Sequence, residues 1–156
     1  MWLFYVFRLF KKKTKFFNQF VSITEHLVKG NPRKFVENLD TLFKSLSHPT
    51  QKYQENAIGL AISTILSLSQ DIDVENQIHS GKGITDIVAI TKDTIYIMEL
   101  KVDGSAKKAL SQIKDKEYVN LYKNKAKYKK KKIVIMGISF NGKDATVKDL
   151  AMDPKV

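Results

Sequence analysis

The 156-residue chain contains no cysteine, only three histidines, three prolines and one tryptophan, and few acids for its bases: 16 Asp and Glu against 27 Lys and Arg. Without cysteine there are no disulfide staples and no thiolate-held zinc or iron–sulfur centre, and a reducing compartment is favoured. His26, His48 and His79 lie far apart and make no HExxH-type pair, which argues against a histidine-rich metal site. A metal held by this chain is therefore held mostly by oxygen, which points to magnesium, manganese or calcium. No apolar run approaches the roughly 20 residues that span a bilayer. The most apolar stretch, Met1 to Phe10, is too short, and Arg8, Lys11, Lys12, Lys13 and Lys15 follow its apolar part, the reverse of a secretory signal. It reads as the start of a packed helix, as the remnant of a longer protein, or as an interfacial anchor giving membrane-surface contact through residues 1–15.

What is present is a basic globular composition: 43% apolar, 28% charged, formal charge +11. The excess is uneven. Between Lys101 and Lys132 twelve lysines face only Asp103, Asp115 and Glu117, which is nine of the eleven net charges. The densest part runs from Lys123 to Lys132. Such a run attracts polyanions by counterion release, nucleic acid above all, or it is a solvated loop that keeps the chain soluble.

Three helices are expected first. Phe16, Phe17, Phe20, Val21, Leu27 and Val28 recur at helical spacing until Gly30 stops them, and Asn31-Pro32 opens the next helix. Phe35, Val36, Leu39, Leu42, Phe43 and Leu46 form a second stripe that ends at Ser47-His48-Pro49. A third helix is predicted from about Gln51 to Ser69. The period then changes to two. Strands are expected at Asp73–Ile78, Thr85–Thr91 and Thr94–Val102, followed by one helix from about Ala106 to Lys123. A buried strand at Lys132–Phe140, a turn at Asn141-Gly142 and a short last strand near Ala145–Val147 complete the order.

A turn centred on Lys92-Asp93 sets Val88 opposite Ile97 and Asp86 opposite Glu99. Asp86, Val88, Ile90, Ile95, Ile97, Glu99 and Lys101 then share one face. Opposed like charges are destabilising, so two carboxylates at the end of an Ile/Val face are a local conflict. A divalent cation taking an oxygen from each resolves it. The alternative is a strand end whose acids Lys101 neutralises. Glu55 shares a helix face with Ile58, Gly59 and Ile62, and Gly59 leaves room for another backbone to approach. Glu55 is either a third carboxylate of the same site or a first-turn acid satisfying the helix dipole.

These residues resemble the core of the PD-(D/E)xK nuclease superfamily: Glu55 on a helix, then Gly83-Ile84-Thr85-Asp86, then Glu99-Leu100-Lys101. The text from Thr94 to Val102, from Ala109 to Tyr118 and from Ile133 to Phe140 is similar to the nuclease-like domain often found C-terminal to AAA-ATPase-like regions in bacteria. The resemblance covers roughly residues 27 to 148. It implies an α/β fold, a restriction-endonuclease-like mixed β-sheet flanked by helices. The division it suggests is a helical lead-in over residues 1–48 and a nuclease-like domain over 49–156. It further implies magnesium- or manganese-dependent phosphodiester hydrolysis, with Asp86, Glu99, Glu55 and the carbonyl of Leu100 as metal ligands. Lys101 would orient or deprotonate the attacking water. Lys108, Gln112, Lys116, Tyr118, Lys129 and Lys130 would contact nucleic acid, DNA ahead of RNA, in a cytoplasmic setting that leaves room for a homodimer. One departure stands out: the group carries Gly-Arg-x-Asp where this chain has Ile84 in place of the arginine. A decayed, non-cleaving module that binds nucleic acid or a partner is the alternative reading.

Overall fold

The structure, a computed structural model, describes residues 15–46, 52–80, 83–115 and 118–154. Three helices come first: α1 (Lys15–Val28), α2 (Pro32–Leu46) and α3 (Glu55–Ser67). Strands β1 (Asp73–Ser80), β2 (Gly83–Ile90) and β3 (Thr94–Val102) follow. Next come α4 (Ala106–Asp115), α5 (Tyr118–Lys123), a 3-10 turn at Ala126–Tyr128, and strands β4 (Lys132–Phe140) and β5 (Val147–Asp153). The strands form one mixed sheet in the order β1-β2-β3-β4-β5, in which β3 and β4 are parallel and the other neighbours antiparallel. This is the helix-flanked mixed sheet with a helical lead-in that the sequence implies.

The first helix ends where glycine permits it to end. Gly30 has φ +77°, its N–H donates to Leu27 O, and the Asn31 N–H donates to His26 O at 2.7 Å. This pair of bonds satisfies the terminal carbonyls of α1 and turns the chain into α2. Leu27 O also accepts the Tyr96 hydroxyl at 2.9 Å, which ties α1 to β3. The predicted stripe of α2 is buried: Phe35, Val36, Leu39, Leu42 and Phe43 all lie in the core.

Alternation along the strands divides the interior in two. Ile87, Ala89, Tyr96, Met98, Leu100 and Ile138 point toward α1, α2 and α3 and share one apolar cluster with them. Residues 15–46 therefore pack into the same core as the sheet. Val88, Ile90, Ile95, Ile97, Ile133 and Ile135 point to the other face, where Ile113 of α4 and Tyr118, Val119 and Tyr122 of α5 cover them. On this second face the β4 row continues to Gly137. A Cβ there would lie 2.1 Å from Ala106 O and 2.6 Å from Leu110 N. The missing side chain lets the first turns of α4 rest on the sheet backbone.

Several expectations are corrected. Gly59, read as the site of close backbone approach, faces only the Leu100 side chain at 3.5 Å; that role belongs to Gly137. The third helix begins at Glu55 rather than near Gln51, because Gln54 is extended and the Tyr53 N–H donates to Gly142 O at 2.7 Å. The expected helix from Ala106 to Lys123 is two helices. The last strand starts at Val147 and runs to Asp153, well past the expected Val147 end. Its Lys, Asp and Ala content is poor strand composition, and it lies at the sheet edge, so pairing with β4 rather than propensity defines it. The basic run is not a plain solvated loop: Ala126–Tyr128 forms the 3-10 turn and Tyr128 is buried. The helix stop at Ser47-His48-Pro49 and the apolar segment at the N-terminus lie outside the described residues. No described helix is long and apolar enough to cross a membrane.

The two glycines give opposite expectations. Gly137→Ala forces backbone apart and should destabilise the fold by about 1–3 kcal/mol or more in urea unfolding. Gly59→Ala meets only an ordinary contact inside a helix and should be neutral or stabilising by up to ~1 kcal/mol.

Candidate active site

The register of the β2–β3 hairpin is the one the turn at Lys92-Asp93 predicts: Ile90↔Ile95, Ala89↔Tyr96, Val88↔Ile97 and Ile87↔Met98. Pairing stops there. One residue further, the side chain of Asp86 takes over from the backbone, and its Oδ2 accepts the Leu100 N–H at 2.7 Å. β2 meanwhile stays paired with β1 as far as Ser80↔Gly83. The β2–β3 ladder therefore ends at Asp86, and beyond it side-chain acceptors serve the β2-facing edge of β3. The N–H and C=O of one extended residue point to the same side, so the Leu100 carbonyl faces this edge too.

Glu99 follows Ile97 on the face covered by α4 and lies beside Gly137 in the parallel register. It is 2% exposed. Lys101, two residues on, points the same way and places its Nζ 3.5 Å from Glu99 Oε1. Glu55 arrives from the opposite layer. Its position as the first residue of α3 brings its carboxylate to the end of β3, where Oε1 lies 3.4 Å from Lys101 Nζ and Oε2 accepts the Val102 N–H at 3.3 Å. The Glu55 side chain is 38% exposed, so it is a boundary acid rather than a buried one. It is the first-turn acid of α3, and its carboxylate faces the same ammonium as Glu99.

The lysine is the electrostatic centre. Burial alone pulls its ammonium down, but Glu55, Glu99 and Asp86 together hold it above its ordinary 10.5. The conflict between opposed carboxylates is thus met by an ammonium and a backbone N–H. Among the described residues no group of three or more His, Asp or Glu stands close enough together to hold a metal ion. The donor chemistry nonetheless suits a hard cation: carboxylates of Asp86 and Glu99, a strand carbonyl, and no soft ligand.

The remaining candidates spread widely. Lys108 is exposed in the first turns of α4, the helix whose Ala106, Ala109 and Leu110 rest on Gly137. Gln112 is half-buried one turn further along the same helix. Tyr118 is fully buried in the second cluster, so its ring packs beneath the surface instead of forming part of it. Lys129 and Lys130 are exposed but precede β4, whose first residue pairs with Thr94, at the far end of β3 from Glu99. Lys116 lies outside the described residues, as do the side chains of Ile84 and its neighbours Gly83 and Thr85. Sequence reasoning missed Gly137, whose only signal was a glycine breaking an Ile/Val/Met run. It also missed the Val102 N–H, which no side-chain pattern can reveal.

Replacing Lys101 by Met removes the ammonium that faces the buried Glu99. The expected loss is about 1–3 kcal/mol, below that of a fully buried pair because Lys101 is 26% exposed. The native pKa is raised, so the charge contributes fully below 10.5 and is lost as pH climbs through the native value. The stability gap between wild type and Lys101→Met should be constant through neutral pH and close only above 10.5 in urea midpoints followed against pH.

A family model of the PD-(D/E)XK nuclease superfamily matches residues 53–150. No curated protein and no solved structure matches the chain. The matched span opens on the extended segment that positions Glu55 and runs through β4 into β5, so it holds Glu55, Asp86, Glu99 and Lys101 together. The chain belongs to the PD-(D/E)XK nuclease superfamily.

Proposed function

We propose that this chain is a metal-dependent nuclease that hydrolyses phosphodiester bonds of nucleic acid, DNA ahead of RNA. The observation that carries the reading is the meeting of Glu55, Asp86, Glu99 and Lys101 at the split end of β3. Asp86, Glu99 and the Leu100 carbonyl would hold magnesium or manganese, with Glu55 binding a second ion or an ordered water. A bound ion supplies Lewis-acid polarisation of a phosphoryl oxygen and acidifies water. Lys101 would leave Glu99 when the ion enters, and its ammonium would then orient the attacking water and offset charge growing on the phosphate. Burial of Glu99 keeps one carboxylate fixed, whereas half-exposed Glu55 stays accessible from solvent. Lys108 and Gln112 of α4 would position the backbone without reading bases. A cysteine-free chain suits a cytoplasmic setting.

A non-cleaving nucleic-acid-binding module is the second reading, favoured by Ile84 in place of the family's arginine and by the ammonium that bridges Glu55 and Glu99. Cleavage of linear duplex DNA and of RNA, each with magnesium, manganese or EDTA, separates the two. Asp86→Asn keeps the size and still accepts the Leu100 N–H but removes the charge. It should lower metal-dependent cleavage by at least ~100-fold without weakening metal-free binding, because the carboxylate repels phosphate. Wild type that neither cleaves nor gains melting temperature with either ion would establish the non-cleaving module.

A further inference from the structure

The densest positive charge and the carboxylates occupy opposite ends of the sheet. β3 and β4 are parallel and paired from Thr94↔Lys132 at one end to Lys101↔Ser139 near the other. Seven residue steps at about 3.3 Å separate those levels by roughly 23 Å. The lysine-rich segment before β4 is stitched to the turn between β2 and β3. Lys131 Nζ donates to Thr91 O at 2.6 Å and Lys92 O at 2.5 Å, and the Lys132 N–H donates to Asp93 O at 2.9 Å. This pole is built rather than loose. Lys125 Nζ lies 5.1 Å from the Tyr122 ring centre, and Lys127 Nζ lies 4.6 Å from that of Tyr128. Both rings are buried in the second cluster. A nearby acid of β1, Glu75, is engaged by the Tyr122 hydroxyl at 2.5 Å. Lys129 and Lys130 are exposed and make no ion pair among the described residues.

We propose that this lysine pole is a second phosphate-binding surface, separate from the active site, which anchors the nucleic-acid backbone at least about seven nucleotides from the bond to be cut. The polymer is favoured over other polyanions because the pole presents several lysines together and a polynucleotide carries its phosphates in series. Without metal the carboxylate end gives a weaker grip, since Glu55, Asp86 and Glu99 outnumber Lys101 there. Affinity then comes from one end of the sheet and chemistry from the other, and the substrate class is a polynucleotide long enough to bridge them. Short oligonucleotides fill one end only. The position of the scissile phosphate rests on the nuclease reading; the anchoring surface does not.

The test measures binding of fluorescent duplexes of about 5, 10 and 20 base pairs to the full chain in EDTA, by anisotropy, across a salt series. Wild type and a triple variant, Lys129→Ala, Lys130→Ala and Lys132→Ala, are compared. The triple variant should bind every duplex at least ~10-fold more weakly than wild type, with a salt slope lower by about two to three units. With magnesium, both proteins should hydrolyse bis(p-nitrophenyl) phosphate, which cannot reach the pole, at equal rates. No hydrolysis by either protein removes the nuclease reading and leaves the anchor standing on the binding data. Equal affinity and slope for variant and wild type at every length would overturn the anchor. So would duplex binding that the triple substitution leaves unchanged while vesicles containing phosphatidylserine bind wild type and not the variant, an outcome that assigns the pole to a membrane surface.

Discussion

One ammonium holds two layers of this protein together at a point where the sheet comes apart. β2 and β3 part after Ile87↔Met98, which leaves the end of β3 with unpaired backbone and a carboxylate row. Lys101 bridges Glu99 on the strand to Glu55 on the helix of the other layer, and Asp86 caps the Leu100 N–H that the ladder no longer serves. Each contact is modest by itself. Together they fix the four candidate side chains on a strand end, a helix start and a hairpin arm without a loop of their own.

The backbone supports this from below. Gly137 lets α4 lie on the sheet beside Glu99, which is why that carboxylate is shielded from water although it stands at a strand end. The Tyr53–Gly142 hydrogen bond keeps residues 52–54 extended and starts α3 at Glu55. A helix begun three residues earlier would carry Glu55 into the second turn, about 4.5 Å along the axis.

Much of this was legible in the residues. The Lys92-Asp93 turn fixed the register of the hairpin, and register with period-two alternation put Asp86, Glu99 and Lys101 on one face. The glycine stop at Gly30 and the stripe of α2 were equally plain, because local chemistry decides them. What stayed hidden depends on distant partners. Nothing near Gly137 or Gly59 tells which glycine meets a helix backbone. Val147–Asp153 is a strand only because β4 offers an edge. The lysines between 123 and 132 look like one basic flank in the sequence, yet the parallel pairing of β3 with β4 carries them to the pole opposite the carboxylates. The sequence left Lys101 two roles, partner of a metal pair or neutraliser of the strand-end acids, and in this structure it stands as the counterion.

The most direct measurement is a crystal soaked in manganese, with the ion located by its anomalous scattering. The account predicts a peak at about 2.0–2.3 Å from oxygens of both Asp86 and Glu99, with the Lys101 ammonium displaced from Glu99. Soaked crystals with no peak at these carboxylates, and Lys101 still bridging Glu55 and Glu99, would contradict it.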